Sequence, residues 1–158
     1  MRFRPPVRPK GDGFVIDIGA DEAGLVVRLL GELRELLSDR DPSPESQALL
    51  GRLFPAAYPD DPELEAEYQR LMRDELIQSR LASIDGVERV LSGSGRVDEA
   101  GLTAFMQSVN AIRLILGTMI GVTDDQDADD PDELDATPEH QLYGYLSWLL
   151  EWAVRAAV

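Results

Sequence analysis

Residues 138–157, "PEHQLYGYLSWLLEWAVRAA", constrain this chain more than any other stretch. Leu142, Tyr145, Leu146, Leu149, Leu150, Trp152, Ala153 and Val154 recur at helical spacing and wrap most of a helix circumference. His140, Gly144, Ser147, Glu151 and Arg155 are left on a narrow polar strip. A surface helix needs an apolar stripe only about 100° wide or somewhat more. This one is greasy over far more of its girth, so it must lie at the centre of a bundle or be half-covered by a second subunit. Trp148 and Trp152 stand one turn apart on the same side. Packing in the core is the simpler reading for both, and an interface anchored by the two indoles is the alternative.

The same periodicity organises the rest of the chain. Asp21 and Glu22 suit a helix N-terminus, and Leu25, Val26, Leu29, Leu30, Leu33, Leu36 and Leu37 continue the helix at core spacing. Ser43 followed by Pro44 is an N-cap with proline in the first turn, where its missing N–H costs nothing, and predicts a short helix near 44–53. Asp61 and Pro62 repeat that grammar and open a long helix from 62 to about 91. Its first half shows Leu64, Tyr68, Leu71 and Met72 on one face; its second half shows Ile77, Ile84, Val87 and Leu91 on nearly the opposite one. The two halves are therefore expected to pack against different neighbours. After a loop at "SGSGRVD", Asp98 caps a helix running to about 120, with Phe105, Ile112, Ile115, Met119 and Val122 toward the core.

Upstream of these helices, "FVIDI" at 14–18 is a short strand by its β-branched content, and the "KGDG" turn lets residues 2–8 pair with it. Pro5 and Pro6 confine that partner to a sheet edge. The fold class is thus mainly α, a helical bundle of about five helices with a small N-terminal β-hairpin. One domain spans 1–158: a basic arm and hairpin at 1–18, a bundle at 20–157, and within it an acidic, mobile loop at 123–137.

Charge narrows the function. Fifteen basic residues face thirty acidic ones, a formal charge of −15. Arg2, Arg4, Arg8 and Lys10 fall in the first ten residues, so the remaining 148 carry 11 basic and 30 acidic residues, a local net of −19. Such a surface repels phosphate backbones, and direct non-specific nucleic acid binding is excluded. The arm reads as a solvated segment, with a grip on an acidic partner or phosphate as the sharper alternative. The absence of cysteine removes disulfides, thiol catalysis and thiolate metal sites, and fits a cytoplasmic protein. No targeting segment is expected. The longest apolar run, "LILGTMIGV", is about half of what a membrane span needs, so no membrane association is expected either.

Tests for chemistry fail one after another. With Asp125, Asp127 and Asp129 at the first, third and fifth positions of an EF-hand loop, Asp130 stands where the turn glycine belongs and Ala136 where the bidentate Glu belongs. His140 is the only histidine, no G-x-S-x-G elbow supplies a nucleophile, and "SGSGR" lacks the length and lysine of a P-loop. No catalytic residue, cofactor or metal site is assigned. Asn110 and Arg113 remain, three apart on one helix face within "VNAIRLILGTMIGV". A buried guanidinium needs a counterpart, and Glu75, Asp85 or the carbonyls at a neighbouring helix end are the candidates. The alternative is recognition of an acidic partner.

Three stretches, "FPAAYPDDPELEAEY", "VNAIRLILGTMIGVTDD" and "LYGYLSWLLEWAVRAA", in this order and spacing, resemble an actinobacterial family catalogued as a domain of unknown function. The resemblance runs from about residue 14 onward. The family's tyrosine-proline-acid turn matches Tyr58, Pro59 and Asp60; its asparagine-x-x-arginine and leucine-glycine pair match Asn110, Arg113, Leu116 and Gly117. It implies a gene neighbourhood beside the ClpS-type protease adaptor and, for some members, a transcription-associated regulatory role. The expectation is a non-enzymatic regulator or adaptor acting through protein–protein contact, and a homodimer. Arg2, Arg4, Arg8, Asn110, Arg113, Trp148 and Trp152 are the candidate partner or interface residues. Modulation of ClpS/Clp-mediated proteolysis is the alternative, and a metal-assisted hydrolase the third reading.

Overall fold

The computed structural model describes residues 3–121 and 137–158. Arg2, Val122 and the acidic loop expected at 123–137, apart from Thr137, lie outside the described residues, as do the positions of the EF-hand test. The described chain forms, in order, β1 (Val7–Lys10), β2 (Gly13–Ile16), α1 (Ala20–Ser38), α2 (Pro44–Leu53), α3 (Pro62–Leu91), β3 (Arg96–Val97), α4 (Glu99–Ile120) and α5 (Pro138–Ala157). The architecture is mainly α, five helices with a small N-terminal antiparallel hairpin.

Four of the helices begin where a side chain replaces a missing backbone partner. The Ser43 hydroxyl accepts from the Ser46 N–H at 3.1 Å, Asp61 from Leu64 at 3.2 Å, Asp98 from Gly101 at 2.7 Å and Thr137 from His140 at 3.1 Å. Each cap satisfies one orphan donor and contributes about 1 kcal/mol. In α2, α3 and α5 a proline follows directly, with its φ already set for the first turn. α4 stops at Gly121, whose φ of 78° is left-handed.

The centre of the molecule is α4. Leu102, Phe105, Val109, Ala111 and Ile112 are buried along it, with α5 and α3 packed most extensively on its flanks and α1, α2, β2 and β3 against the remainder. Val26, Leu30, Leu33 and Leu37 of α1 meet Ile84 and Val87 of α3 and complete the core. α5 is not central. It covers α4 and β1 with Tyr143, Leu146, Leu149 and Ala153, while Trp148 and Val154 remain exposed.

Several expectations are corrected. The strand pairing lies further along than 2–8 with 14–18: Val7 sits opposite Ile16 and Lys10 opposite Gly13. Nor is the arm solvated throughout, since Val7 is buried. The "SGSGRVD" loop contains a third strand, Arg96–Val97, which pairs with Phe14 and Val15. Two residues are too few for a periodic signal. What allows the pairing is Gly95, buried at φ +80°, where an added Cβ would lie 2.2 Å from the Ile16 carbonyl oxygen. The Ile16 N–H donates to Gly95 O at 2.8 Å across this close approach.

α3 runs unbroken, and its second half packs as expected on α1 and α4. The first half does not find a second neighbour for its whole face: Leu64 and Leu71 are exposed, and the preceding turn folds back onto it through a T-shaped contact of Tyr68 with Tyr58, a Tyr58 N–H bond to Glu65 at 2.8 Å and Arg73 over the Phe54 ring. Met119, expected in the core, is 69% exposed, although Gly117 is buried and Ile120 half-buried, so it lies on a side of α4 that no described element covers.

Gly95→Ala is expected to destabilise the fold by about 2 kcal/mol or more, since it combines a left-handed φ with an unavoidable backbone clash. Gly11→Ala, with the same sign of φ but open space around it, is expected to lose clearly less. Urea unfolding of the two variants side by side checks the difference.

Candidate interaction surface

The residues singled out from the sequence fall into three places. The first is the seam between α4 and α5. Arg113 lies half-buried there, with Nη2 donating to Asn110 Oδ1 at 3.0 Å and Nη1 to the Tyr143 hydroxyl at 3.2 Å. Its guanidinium carbon stands 5.6 Å from the Tyr143 ring centroid. No carboxylate holds it among the described residues, so the expected bridge to Glu75 or Asp85 is corrected. Asp85 instead pairs with Arg34 at 2.7 Å, which also reaches Glu88 at 2.9 Å. Neutral dipoles and a π face take the place of an anion, and Arg113 Nε is left buried without a partner. Gly117 lets Tyr143 approach: a Cβ there would meet the ring at 2.9 Å.

The second place is the N-terminal arm. Arg8 is tied down, donating to the Pro5 carbonyl at 3.0 Å and pairing with Asp17 at 3.2 Å. Arg4 is exposed, and Arg2 lies outside the described residues. The arm is therefore a docked strand with one cation committed, and not a free basic tail over the described residues.

The third place is a ridge of rings. Phe3, 64% exposed, packs on Trp152 with centroids 5.5 Å apart, and Tyr145 packs on Trp148 at 5.9 Å. Trp148 is 39% exposed. Arg155 lies over Trp152 at 5.1 Å while pairing with Glu151 at 2.7 Å. The Tyr145 hydroxyl is buried without a hydrogen-bond partner, and burial, with a smaller part from the Glu22 carboxylate, pushes its ionisation above the ordinary tyrosine value. Trp148 and Trp152 thus split between the two readings, the second half-buried under Phe3 and the first facing outward.

A family model described as Domain of unknown function (DUF2017) matches residues 3–157. The chain belongs to this family. No curated protein and no solved structure matches it. The family's extent coincides with the folded body, so arm, bundle and ridge together form the unit it defines. No helix among the described residues is long and apolar enough to cross a membrane.

Two side chains central to these sites have no motif. Tyr143 has nothing local in α5 to mark it, and its role depends on a contact with Arg113, thirty residues away. Phe3 stands between Arg2 and Arg4, where the charges dominate any local pattern. His140, in contrast, is accounted for locally, with its Nδ1 held against the Thr137 hydroxyl at the start of α5.

Removing Asn110 leaves a half-buried cation short of its best acceptor, so Asn110→Ala is expected to cost about 1–2 kcal/mol. Arg113→Met keeps the stem without the charge and is expected to stay within about 1 kcal/mol of the parent. In a double-mutant cycle the pair is expected to be non-additive by about 1 kcal/mol.

Tyr145 makes a second, pH-dependent prediction. Its folded-state ionisation lies above the unfolded value, so its stabilising contribution is whole below about pH 10 and is lost as pH rises through the folded value. Denaturant titrations above that pH are expected to fall less steeply for Tyr145→Phe than for the parent chain.

Proposed function

We propose that this protein is a non-enzymatic adaptor or regulator that acts by protein–protein contact, and that the ridge of Phe3, Trp152, Trp148 and Tyr145 is its contact surface. One observation carries the reading: two outward-facing aromatic side chains, Trp148 at 39% and Phe3 at 64% exposure, each stacked on a further ring. Rings held in place by other rings offer large apolar area at little entropic cost on binding, as interface anchors do. Arg4 is exposed beside Phe3 in sequence, and Arg155 lies over Trp152 while paired with Glu151, so both signs of charge border the ridge on a molecule of net charge −15.

A second copy of the chain is the simplest occupant, joined through the same patch about a two-fold axis. The −15 charge of each copy opposes that pairing at low salt, so self-association should strengthen as salt screens it. For a different protein, the family resemblance points to the transcription machinery or to the ClpS–Clp proteolytic system. Asn110 and Arg113, bonded to each other, and Tyr143, which accepts from Arg113, hold the seam between α4 and α5.

Sedimentation of the purified chain and crosslinking in cell extract with mass spectrometry test the reading together. Trp148→Ala is expected to weaken whichever complex forms by about thirty-fold, the scale of an interface hot spot. Unchanged self-association and an unchanged crosslink pattern in both Trp148→Ala and Phe3→Ala would remove the ridge as the contact surface.

A further inference from the structure

A cleft of about 410 Å³ opens between the corner after α2, the middle of α3 and the face of α4. Its size falls in the range of small-molecule sites. Phe54 and Leu76 supply an apolar wall. Arg80, Ser79 and Ser83 from α3 and Gln107 from α4 supply polar groups.

Arg80 is the unusual member. It is half-buried, and among the described residues no carboxylate pairs with it and no hydrogen bond engages its guanidinium. Its one described contact is the Phe54 ring, 5.9 Å from the guanidinium carbon to the centroid. Arg73 lies over that ring as well, at 5.1 Å, but Arg73 is engaged, donating through Nε to Gln69 at 2.8 Å. Burial alone shifts the Arg80 ionisation downward, the direction a bound anion would reverse. In a chain this acidic, a partly desolvated cation that meets no carboxylate among the described residues stands out. Ser79, Ser83 and Gln107 also make no described side-chain hydrogen bond, so four sets of polar groups open onto one cleft without committed partners.

We infer that this cleft binds a small organic carboxylate, with Arg80 and the Gln107 amide on the carboxylate oxygens and the apolar body against Phe54 and Leu76. One guanidinium balances one negative charge, and among the described residues no acidic side chain lines the cleft to compete for it. The guanidinium's planar fork matches a carboxylate in two hydrogen bonds. The ligand is a free carboxylic acid or the C-terminal carboxylate of a peptide; the chemistry at Arg80 is the same for both.

The thermal midpoint of the full chain is followed with sodium benzoate, sodium propionate, a short C-terminally free peptide ending in leucine, its amidated form, and inorganic phosphate, all at one ionic strength. The expected result is a saturable rise with benzoate or with the free-acid peptide, at least ten-fold weaker in apparent Kd for Arg80→Met, with backbone NMR shifts gathered at Ser79, Ser83 and Gln107. A response to benzoate but not to the peptide assigns a free acid; a response to the free but not the amidated peptide assigns a chain terminus. Gln107→Ala, at an exposed position, serves as a second variant if Arg80→Met does not fold, and is expected to weaken the response as well. No response to any carboxylate, an equal response in the variants, or a response to phosphate alone would overturn the assignment. The ridge variants leave this readout untouched, so this inference and the contact surface fail separately.

Discussion

Everything in this fold depends on covering α4. Burial reaches around the axis to Ser108, Ala111 and Gly117 from the face that carries the large side chains Leu102, Phe105, Val109 and Ile112, so no single neighbour can cover the helix. Fully burying each such side chain contributes about 1.5–3 kcal/mol, and that gain is available only if α1, α2, α3, α5 and the sheet all close around one axis. The long connections follow from the same demand. α3 must run thirty residues to bring Ile84 and Val87 to the centre, and its opening turns overshoot into solvent with Leu64 and Leu71 exposed. α5 arrives last in sequence, covers the remaining flank and has apolar surface to spare.

That surplus separates the two meanings of a greasy helix. An apolar girth predicts either a central position or a second covering layer, and α5 takes neither within one protomer. Trp152 is capped by Phe3 from the arm, which converts part of the surplus into an intramolecular contact. Trp148 receives only Tyr145 beside it. The arm is thus a structural cover before it is anything electrostatic: Val7 is buried beneath it, and the Arg8–Asp17 pair secures its course.

What could be read in advance was local. Ser43 with Pro44, Asp61 with Pro62, and Asp98 fix helix starts through bonds to residues three positions away, so the sequence carries the whole cause. The third strand could not be read, because two residues have no period and its enabling feature is a glycine facing Ile16 nearly eighty residues upstream. The partner of Arg113 was misjudged for a similar reason. Charge complementarity suggests an acid, but the chain places Asp85 beside Arg34 at the rim and leaves Tyr143, fixed by Gly117, as the group within reach. Among the candidate residues, the tryptophans were legible as a pair and became distinguishable only once Phe3 was seen to lie on one of them.

The placement of charge follows one rule throughout. The described ion pairs sit where water reaches them: Arg34 with Asp85 and Glu88, Arg155 with Glu151, Arg8 with Asp17. The three half-buried arginines outside these pairs, Arg73, Arg80 and Arg113, form no ion pair among the described residues; Arg73 takes Gln69 and the Phe54 ring instead. Burying an ion pair costs desolvation of both partners, and replacing the acid by a neutral acceptor or a ring halves that burden. Arg113 follows this logic through its two Nη groups, with an amide, a hydroxyl and a π face around it, and leaves Nε without a partner. Arg80 follows it only as far as Phe54. With five N–H donors and one ring for company, it is the place where the fold's own economy of charge is unfinished, and an anion from outside is the group that would finish it.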